Sequence, residues 1–536
     1  MVESVSRGTG LSDKPPEVAY VERAIIARLQ DCLEDHGYRL VETPVLERSE
    51  LFQRKSGEEW AGRLFSFEYR GQRLCLRPEF TASISRFFVE RLQALPKPLR
   101  LQTVGPVFRH ESHGRSRSRQ FTMVGAELIG AGGFAADAEI IAIAWEGLQR
   151  LGLGRYRLVV GHVGLLSEFL TRLGLDGRAC RFVLGHMEDL RKPERGAAYV
   201  RERLRQLYSG PSAWEDVMRG QAGEFTRGGE QEVSEEQIGM MLDLVYASDG
   251  TERVEGRTRE EIAARLHRKL RRAGEMDGIL RALDFAGQLG HIQCPPEEAL
   301  ERTRAVLDSF GLDESTLVSL QKVVEMLGWL GIPAERMTVD MGMGRGLHYY
   351  TGIVFEIHAE DGGADSQLCG GGRYDDLLRV LGANQDVPAI GFAYGVERVR
   401  RGIEEEEREE VGRLDLHASP MDILVIPITE AEMQYAVEVS LRLRRELRMR
   451  VELQLKPGSS LGTSLAQANR RDILLVVLVG EDEARHRTIT IRYMADRKQL
   501  TIPLDEVSEK DFLGDESGRI SPVASHGLLT KGANLA

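Results

Sequence analysis

The sequence predicts an α+β protein in which short strands and helices alternate on either side of a mostly helical middle part. Three observations support this fold class. Apolar residues recur every four positions near the N-terminus, alternating residues flank a polar turn near position 114, and two apolar runs enclose a helix near the C-terminus. Helices repeat every 3.6 residues and strands every two, so these patterns distinguish the two elements. The 536 residues suffice for about three domains.

The first predicted part, 1–172, contains both kinds of element. A helix is expected over 18–36, because apolar residues from Val21 to Leu33 share one face and Gly37 follows as a stop. Strand-like runs at 38–46, 64–69 and 72–76 come next, then a helix at 81–94, a hairpin around 108–121, a strand at 123–129 and a helix at 136–151. The order of these elements is typical of a sheet with helices packed against it.

The rest of the chain divides by composition. Residues 173–328 have helical periodicity and are predicted to be a mostly helical insertion, with a loop at 208–235. Strand-like sequence returns in 329–402, at 337–341 and 351–358, and 403–420 is a Glu-rich acidic linker. Residues 421–512 have a β-α-β pattern, with apolar runs at 421–428 and 473–479 around a helix at 431–447. A disordered tail is expected over 513–536.

Composition argues against several classes of protein. A net charge of −12 does not suit a general polyanion binder, although 441–500 has an excess of basic residues that is compatible with local nucleic-acid contact or with a solvated helix face. No apolar run approaches the ~20 residues that span a bilayer. The five cysteines are scattered without a CxxC pair, so we expect reduced thiols in a cytoplasmic protein, with neither a zinc site nor a disulfide framework.

The predicted hairpin is the strongest functional signal. Arg109 and Glu111 precede a basic polar turn, which returns through Arg119 and Gln120 to Phe121. Side chains two apart in a strand share a face, so a cation for a phosphate, an acceptor for an amine and an aromatic ring would lie together. This pattern indicates a nucleotide site built on a sheet rather than at a Gly-rich helix start.

Further polar residues accompany the hairpin. Arg345 and Arg398 follow strand-like segments, and Glu79 and Glu127 add two carboxylates. The glycines before Arg345 do not form GxGxxG, and glycine clusters alone more often mark turns. A single Arg usually forms a helix-face ion pair, and Tyr349-Tyr350 could equally be core aromatics. Together, however, three planar arginine groups suit phosphate recognition.

The motifs in this order resemble those of class II aminoacyl-tRNA synthetases and, within them, the histidyl-tRNA synthetase family. Thr43-Pro44 resembles motif one, 108–121 motif two, and 391–398 motif three. The family's own signatures resemble 345–350 and 371–375, Arg7-Gly8-Thr9 resembles its N-terminus, and 421–505 resembles its anticodon-binding domain. The resemblance implies a mostly antiparallel six-stranded sheet with helices, a helical insertion and a C-terminal α/β anticodon-binding-like domain.

The resemblance also implies a histidine–tRNA ligase that uses ATP and Mg²⁺, binds histidine and tRNA-His, and forms a homodimer through motif one. It assigns roles to residues of this chain. The catalytic residues would be Arg345 and Arg109; ATP would be bound by Arg109, Glu111, Arg117, Phe121 and Arg398; the amino acid by Glu79, Thr81, Met123, Glu127, Tyr349 and Tyr350; tRNA by Arg115, Arg470 and Arg471. No residue is implied as a dedicated metal ligand.

Three positions depart from the family pattern: Met123 replaces a usual Gln, Phe80 a usual Gly, and His348 a usual Asp. A thioether lacks the two donors and the strong acceptor of an amide. Two alternatives therefore stay open. One is a non-catalytic paralogue similar to the histidine-sensing regulatory subunit of ATP phosphoribosyltransferase, which would bind the catalytic subunit of that enzyme. The other is an RNA-binding protein that does not aminoacylate.

Overall fold

The computed structural model describes residues 7–53, 62, 64–110, 118–175, 177–192, 196–208, 276–343, 349–360, 366–409, 423–456, 460–471 and 473–512. The chain forms two compact units. The first contains Arg28–Glu406 together with the N-terminal residues up to Leu11, and the second contains Ser12–Ala27 and the chain from Glu407 onward. The helix Pro16–Asp35 therefore has residues in both units.

The first unit is built on twelve described strands. In chain order they are β1 (Arg39–Leu40), β2 (Leu46–Arg48), β3 (Ser66–Tyr69), β4 (Gln72–Leu76), β5 (Leu99–Phe108), β6 (Gln120–Ile129), β7 (Tyr156–His162), β8 (Gln293–Cys294), β9 (Met337–Asp340), β10 (Ile353–Ala359), β11 (Gln367–Arg373) and β12 (Ala389–Gly395). Nine of them form one sheet in the order β1-β5-β6-β12-β11-β10-β7-β9-β8, and β2-β4-β3 form a small separate sheet.

The large sheet contains a six-stranded antiparallel centre, β5-β6-β12-β11-β10-β7. Three short strands extend it to nine: β1 joins parallel to β5, β9 joins parallel to β7, and β8 pairs with β9. The mostly antiparallel sheet that the sequence predicted is therefore confirmed, and the count of six describes its centre. Strand β8 comes from the part predicted to be a helical insertion, so that part also contributes to the sheet.

Helices connect and cover the strands of the first unit. Their described bounds are Thr81–Phe87, followed by a π-helical turn at Phe88–Leu92, then Phe134–Arg150, Gly164–Arg172, Gly177–Gly185, Met187–Arg191, Gly196–Tyr208, 276–290, Pro296–Phe310, Ser315–Trp329, Leu377–Val380 and Val396–Glu409. The helix Phe134–Arg150 packs on the side of the sheet from which Tyr394 projects. The Tyr394 hydroxyl donates to the carbonyl of Ala144 at 2.9 Å, and both residues are buried. One face of the sheet is thus sealed by a helix.

The second unit is a five-stranded sheet in the order β14-β13-β15-β16-β17. Its strands are β13 (Ile423–Pro427), β14 (Val451–Leu453), β15 (Leu475–Val479), β16 (Thr488–Tyr493) and β17 (Gln499–Pro503); its helices are Met433–Arg445, Leu461–Arg470 and Glu481–His486. β13 pairs parallel with β14 and β15, as the β-α-β pattern predicted. Every residue of β13 and β15 is buried, which is typical of parallel strands covered on both faces.

One predicted segment differs from the structure, and several lie outside the described residues. The helix Val396–Glu409 continues through the glutamates of the predicted acidic linker, because consecutive glutamates are good helix formers when a helix already precedes them. The predicted loop at 208–235, the helical pattern near 266 and the tail 513–536 lie almost entirely outside the described residues. Among the residues that the structure does describe, no helix is long and apolar enough to cross a membrane. All five cysteines are free thiols.

Candidate active site

Small residues line one face of the large sheet, opposite the face covered by Phe134–Arg150. Gly125 of β6 pairs with Ala393 of β12, which pairs with Gly370 of β11. Two residues before Ala393 on β12, Gly391 pairs with Gly372 of β11. Residues directly opposite each other on antiparallel strands share a face. We call these five residues the glycine floor. Because the glycines have no side chains of their own, other side chains can approach the strands closely: Glu127 lies over Gly391, Tyr350 over Gly372 and Gln367 over Gly370.

Glu127 forms the polar centre beside this floor. It lies on β6 and is only 3% exposed. Its Oε1 accepts a hydrogen bond from Thr81 Oγ1 at 2.7 Å, and its Oε2 accepts one from the Tyr374 hydroxyl at 2.5 Å. A Cβ on Gly391 would lie 1.6 Å from Glu127 Oε2. Gly391 is therefore required because the carboxylate crosses directly over it.

A second carboxylate, Glu79, lies close to the first. It is 6% exposed and accepts the backbone N–H of Ala82 at 3.0 Å, at the start of the helix Thr81–Phe87. Burial raises the pKa of Glu79, while the Ala82 N–H and the charge of Arg109 oppose that rise. Burial raises the pKa of Glu127 to about 8, the two hydroxyl donors oppose it, and the charge of Glu79 adds to it. Two buried carboxylates that share a small volume suit a cationic ligand group.

Three tyrosines complete the wall around the carboxylates. The ring centroid of Tyr349 lies 5.0 Å from that of Tyr350 and 6.1 Å from that of Tyr374. Burial raises the pKa of all three phenols well above the ordinary value. They are therefore neutral hydroxyls at physiological pH, able to donate and accept hydrogen bonds.

Met123 and Phe80 make one end of the pocket apolar. Met123 lies opposite Gly105 of β5, and a Cβ on Gly105 would lie 3.7 Å from Phe80 Cζ. The ring of Phe80 thus reaches over β5 next to Met123, with the Arg77 guanidinium 4.4 Å from its centroid. Met123 packs against the same hydrophobic cluster as Phe80 and Tyr349. Two of the three departures from the family pattern, Met123 and Phe80, therefore lie side by side in the structure.

Arg109 and Phe121 lie at the end of the hairpin formed by β5 and β6. Arg109 Nε donates to the carbonyl of Pro78 at 2.9 Å, and its guanidinium carbon lies 5.3 Å from the Phe121 ring centroid. The carbonyl fixes one edge of the planar guanidinium, and the aromatic ring stabilises its charge. The predicted hairpin is confirmed over its described residues, with Arg109 and Phe121 together at its end.

Arg398 lies in the first turn of the helix that follows β12. Its Nη1 donates to both the carbonyl and the side-chain Oε1 of Gln367, at 3.3 Å and 3.2 Å. The neighbouring Glu397 accepts the backbone N–H of Thr122 at 2.9 Å, which fixes the start of the helix against β6. A Cβ on Gly370 would meet Gln367 Nε2 at 2.6 Å. Arg398 is thus held at the edge of the glycine floor.

Several residues assigned by the sequence lie outside the described residues. They are Glu111, Arg115 and Arg117 of the hairpin turn, and Arg345 and His348 of the segment before Tyr349. The roles expected of these residues stay predictions. The structure does bring together Glu79, Thr81, Met123, Glu127, Tyr349 and Tyr350 around one pocket, with Arg109, Phe121 and Arg398 beside it.

The chain matches known families over most of its length. A family model described as histidyl-tRNA synthetase matches residues 10–206 and 237–399, and an anticodon binding domain model matches residues 422–510. The chain belongs to the histidyl-tRNA synthetase family. Its curated relatives include the protein named histidine–tRNA ligase from Pyrococcus horikoshii, 27% identical over 94% of this chain and 98% of that protein. The Pyrococcus abyssi protein of the same name is 29% identical over the same shares of the two chains.

Solved structures share the fold of this histidyl-tRNA synthetase family member. The histidyl-tRNA synthetase from Nostoc aligns with a TM-score of 0.60 at 19% identity, covering 94% of this chain and 98% of that one. A Bacillus halodurans structure described as an ATP phosphoribosyltransferase regulatory subunit/histidyl-tRNA synthetase aligns with a TM-score of 0.58 at 20% identity, covering 89% and 98%. At these identities the likeness concerns the fold alone.

Two residues of the family signature at 371–375 acquire different roles in the structure. Tyr374 donates to Glu127 and belongs to the pocket, although the sequence assignment of the pocket omitted it. Arg373 donates to Asp137 Oδ1 at 2.8 Å, and this buried pair joins β11 to the helix Phe134–Arg150. The sequence contained the signal, because Tyr374 stands in the quoted motif. The sequence did not show where the Tyr374 side chain points. The fold shows it, because Tyr374 directly follows β11 and its hydroxyl reaches Glu127.

The basic residues assigned to tRNA in the second unit lie near the end of the helix Leu461–Arg470. Arg470 is its last residue and is exposed. Arg471 follows and donates through Nη1 to Glu452 Oε1 at 2.9 Å, in a pair that is largely exposed. Exposed pairs contribute only about 0–1 kcal/mol. The ion pair with Glu452 is therefore too weak to assign Arg471 a structural role in place of tRNA binding.

One further cluster offers ligand-type atoms for a metal. Among the described residues, Cys32, His36 and Glu146 bring one such atom each within 4.8 Å of the others. Arg150 already donates to Glu146 at 2.6 Å and to Asp35 at 2.5 Å, and His36 Nε2 lies 3.3 Å from Glu146. Burial raises the pKa of the Cys32 thiol to about 11. A protonated thiol beside an arginine favours an ion-pair network over a metal site.

Proposed function

We propose that this protein is a histidine–tRNA ligase: it activates histidine with ATP and transfers the histidyl group to tRNA-His. One observation carries the proposal. A buried pair of carboxylates, Glu79 and Glu127, lies beside the glycine floor, with Arg109 at the end of β5 and Arg398 in the helix after β12. Carboxylates suit the ammonium and imidazole groups of histidine, and guanidinium groups suit phosphates.

The amino-acid side of the proposed site consists of Glu79, Thr81, Glu127 and Tyr374. Thr81 and Tyr374 fix both oxygens of Glu127, so the carboxylate is oriented before the substrate binds. Neutral Tyr349 and Tyr350 extend the hydrogen-bonding wall, and Met123 with Phe80 closes the apolar end. A bound imidazole would gain a hydrogen bond to a fixed acceptor without reorganising the pocket, which favours specificity.

The nucleotide side consists of Arg109, Phe121 and Arg398. The guanidinium of Arg109, fixed by the Pro78 carbonyl, would bind the α-phosphate, and Phe121 would stack on the adenine. Arg398, held at the edge of the floor, would bind the γ-phosphate. A carboxylate oxygen of histidine attacks the α-phosphorus, and the bond to the bridging oxygen breaks, so pyrophosphate leaves with the electron pair. Fixed cations stabilise the charge that builds up on the phosphoryl oxygens.

Mg²⁺ fits this nucleotide side. Glu356 of β10 pairs with Gly370 of the floor, and a Cβ on Gly370 would lie 3.7 Å from Glu356 Cγ. Carboxylate oxygens together with substrate phosphates are the ligands that Mg²⁺ prefers, so Glu356 is the residue that would hold it. When bound, the ion would neutralise phosphate charge. His358 Nε2 lies 2.8 Å from Glu356 and would orient the carboxylate.

We also propose a cytoplasmic homodimer. The small sheet β2-β4-β3 exposes Leu46, Phe67 and Tyr69 by 47%, 44% and 56%, and Leu40 of β1 is 47% exposed. Leu46, Phe67 and Tyr69 share one face of the small sheet, and exposed apolar residues on one face favour an interface between copies. Multi-angle light scattering should give twice the mass of the 59.9 kDa chain. A monomer at micromolar concentration would contradict this part of the proposal.

The test of the main proposal is ATP–pyrophosphate exchange with each of the twenty amino acids, followed by charging of tRNA-His. We expect exchange with histidine alone and histidine incorporation into the tRNA. Exchange with none of the twenty would overturn the enzyme assignment. In that case tRNA binding without ATP use would favour the RNA-binding alternative, and stable binding to an ATP phosphoribosyltransferase catalytic subunit would favour the regulatory one.

A further inference from the structure

The N-terminal turn, Gly8–Leu11, lies against the end of the nucleotide-binding hairpin at Ser118 and Arg119. The backbone N–H of Leu11 donates to the carbonyl of Gly8 at 3.2 Å, which closes the turn. Gly10 has φ of +77°, the conformation that a type II turn requires at its third residue. The turn thus directs the carbonyls of Thr9 and Gly10 outward, towards Arg119.

Three hydrogen bonds join the turn to the hairpin. The Arg119 backbone N–H donates to the carbonyl of Gly10 at 2.8 Å. Arg119 Nη1 donates to the carbonyl of Thr9 at 2.9 Å, and Ser118 Oγ donates to the carbonyl of Gly10 at 3.4 Å. Residues more than a hundred positions apart in sequence are therefore bound through both backbone and side chain.

Arg119 connects the turn to the residue proposed to bind the α-phosphate. Arg119 sits in a bend immediately before β6, with its N–H donated to Gly10. Its carbonyl accepts the N–H of Arg109 at 3.0 Å. Phe121 follows two residues later. A displacement of Arg119 would therefore shift the backbone from which both Arg109 and Phe121 project.

The contact between the turn and Arg119 depends on glycine at position 10. A Cβ there would lie 2.8 Å from Arg119 Cδ and 2.9 Å from both Cγ and Nε. Any side chain would also be strained, because φ near +77° disfavours residues other than glycine. Gly8 differs: a Cβ there would meet only the Leu11 Cδ1 at 3.3 Å.

We infer that the N-terminal turn is a positioning element for ATP binding, acting through the Gly10–Arg119 contact on Arg109 and Phe121. This inference rests on the proposed function, in which the hairpin binds ATP. The three hydrogen bonds described above join the turn to Ser118 and Arg119 of the hairpin, and none of them involves a residue of the amino-acid side. Loss of the turn should therefore affect ATP more than histidine.

The test compares Gly10→Ala with the matched control Gly8→Ala in the full chain. We expect the KM for ATP in the exchange reaction to rise at least about fivefold in Gly10→Ala, a change of about 1 kcal/mol. The KM for histidine and the melting temperature should stay near those of the unchanged protein, and Gly8→Ala should match it throughout. Equal KM values for ATP in both variants would overturn the inference. An unchanged protein without exchange activity would instead overturn the proposed function.

Two further measurements distinguish loss of the Gly10–Arg119 contact from a general loss of structure in the variant. In an Arg119→Ala background the Cγ, Cδ and Nε atoms are gone, so Gly10→Ala should raise the KM for ATP less than it does alone; additive effects would contradict the contact.

Hydrogen exchange gives a readout that needs no activity. The amides of Arg109 and Arg119 should exchange faster in Gly10→Ala than in Gly8→Ala, and equal rates would contradict the positioning role.

Discussion

The amino-acid side and the nucleotide side of the proposed site are constructed differently. On the amino-acid side the polar groups are buried and satisfy one another: Glu127 accepts from Thr81 and Tyr374, and Glu79 accepts from Ala82. On the nucleotide side the half-buried guanidinium groups of Arg109 and Arg398 are held through neutral carbonyl and amide oxygens. The first arrangement fixes an acceptor for a small cationic ligand. The second fixes the direction of a guanidinium cation, a group that suits phosphates.

The largest expected effect is on the amino-acid side. Glu127→Gln keeps the size of the side chain but removes a carboxyl group that can ionise beside a cationic ligand, so kcat/KM for histidine should fall by about 10³-fold, or about 4 kcal/mol. The KM for ATP should change little, since the arginines are untouched. Exchange assays with each substrate varied would measure both. The matched control is Glu139→Gln, which removes the partner of Arg100 at the surface. Equal loss for both substrates would show that the two sides do not act separately.

The reciprocal change is Arg398→Ala. It removes a fixed cation from the nucleotide side, so kcat/KM for ATP should fall by about 10²-fold, a loss of about 2.7 kcal/mol. Histidine binding, measured by calorimetry without ATP, should be retained. The control is Arg379→Ala, which removes an exposed guanidinium that pairs with Asp376. Weakened histidine binding in Arg398→Ala would contradict the division into two sides.

The raised pKa of Glu127 predicts a pH dependence of stability. Its pKa is about 8 when folded against about 4.3 for a free glutamate. Between these values the folded state binds a proton that the unfolded state does not, so stability falls as pH rises through that window. Relative to Glu127→Gln, the unchanged protein should lose up to about 1.4 kcal/mol per pH unit between roughly pH 5 and 8. Urea unfolding at several pH values would measure this, and parallel curves for the two proteins would contradict it.

The smallest expected effect comes from Tyr374→Phe. This change removes one of the two hydroxyl donors to Glu127 while Thr81 remains. One net hydrogen bond contributes about 1 kcal/mol, so kcat/KM for histidine should fall about fivefold. Tyr350→Phe is a useful comparison, because its ring lies in the same wall. A loss as large as that of Glu127→Gln would mean that Tyr374 contacts the substrate directly.

Local patterns in the sequence predicted most elements of the fold. The helix Pro16–Asp35, the hairpin of β5 and β6, and the parallel strands β13 and β15 all follow from apolar periodicity. Several strands were not predicted, among them β7, β8, β11, β16 and β17. β8 has only two residues, too few for any periodic signal. β7 is a mostly buried strand in the middle of the sheet, where the alternation of apolar and polar residues that marks a half-exposed strand is weak.

The sequence by itself determined the residue types of the proposed site and the family to which the chain belongs, because motifs keep their order along the chain. Only the tertiary structure decided which of those residues meet. Tyr374 reaches Glu127 across 247 positions, and the strands β6, β12 and β11 are neighbours although they are far apart in sequence. The contact of Gly10 with Arg119 has the same origin. Such contacts depend on which distant segments become neighbours, and apolar periodicity predicts the individual elements but not their neighbours.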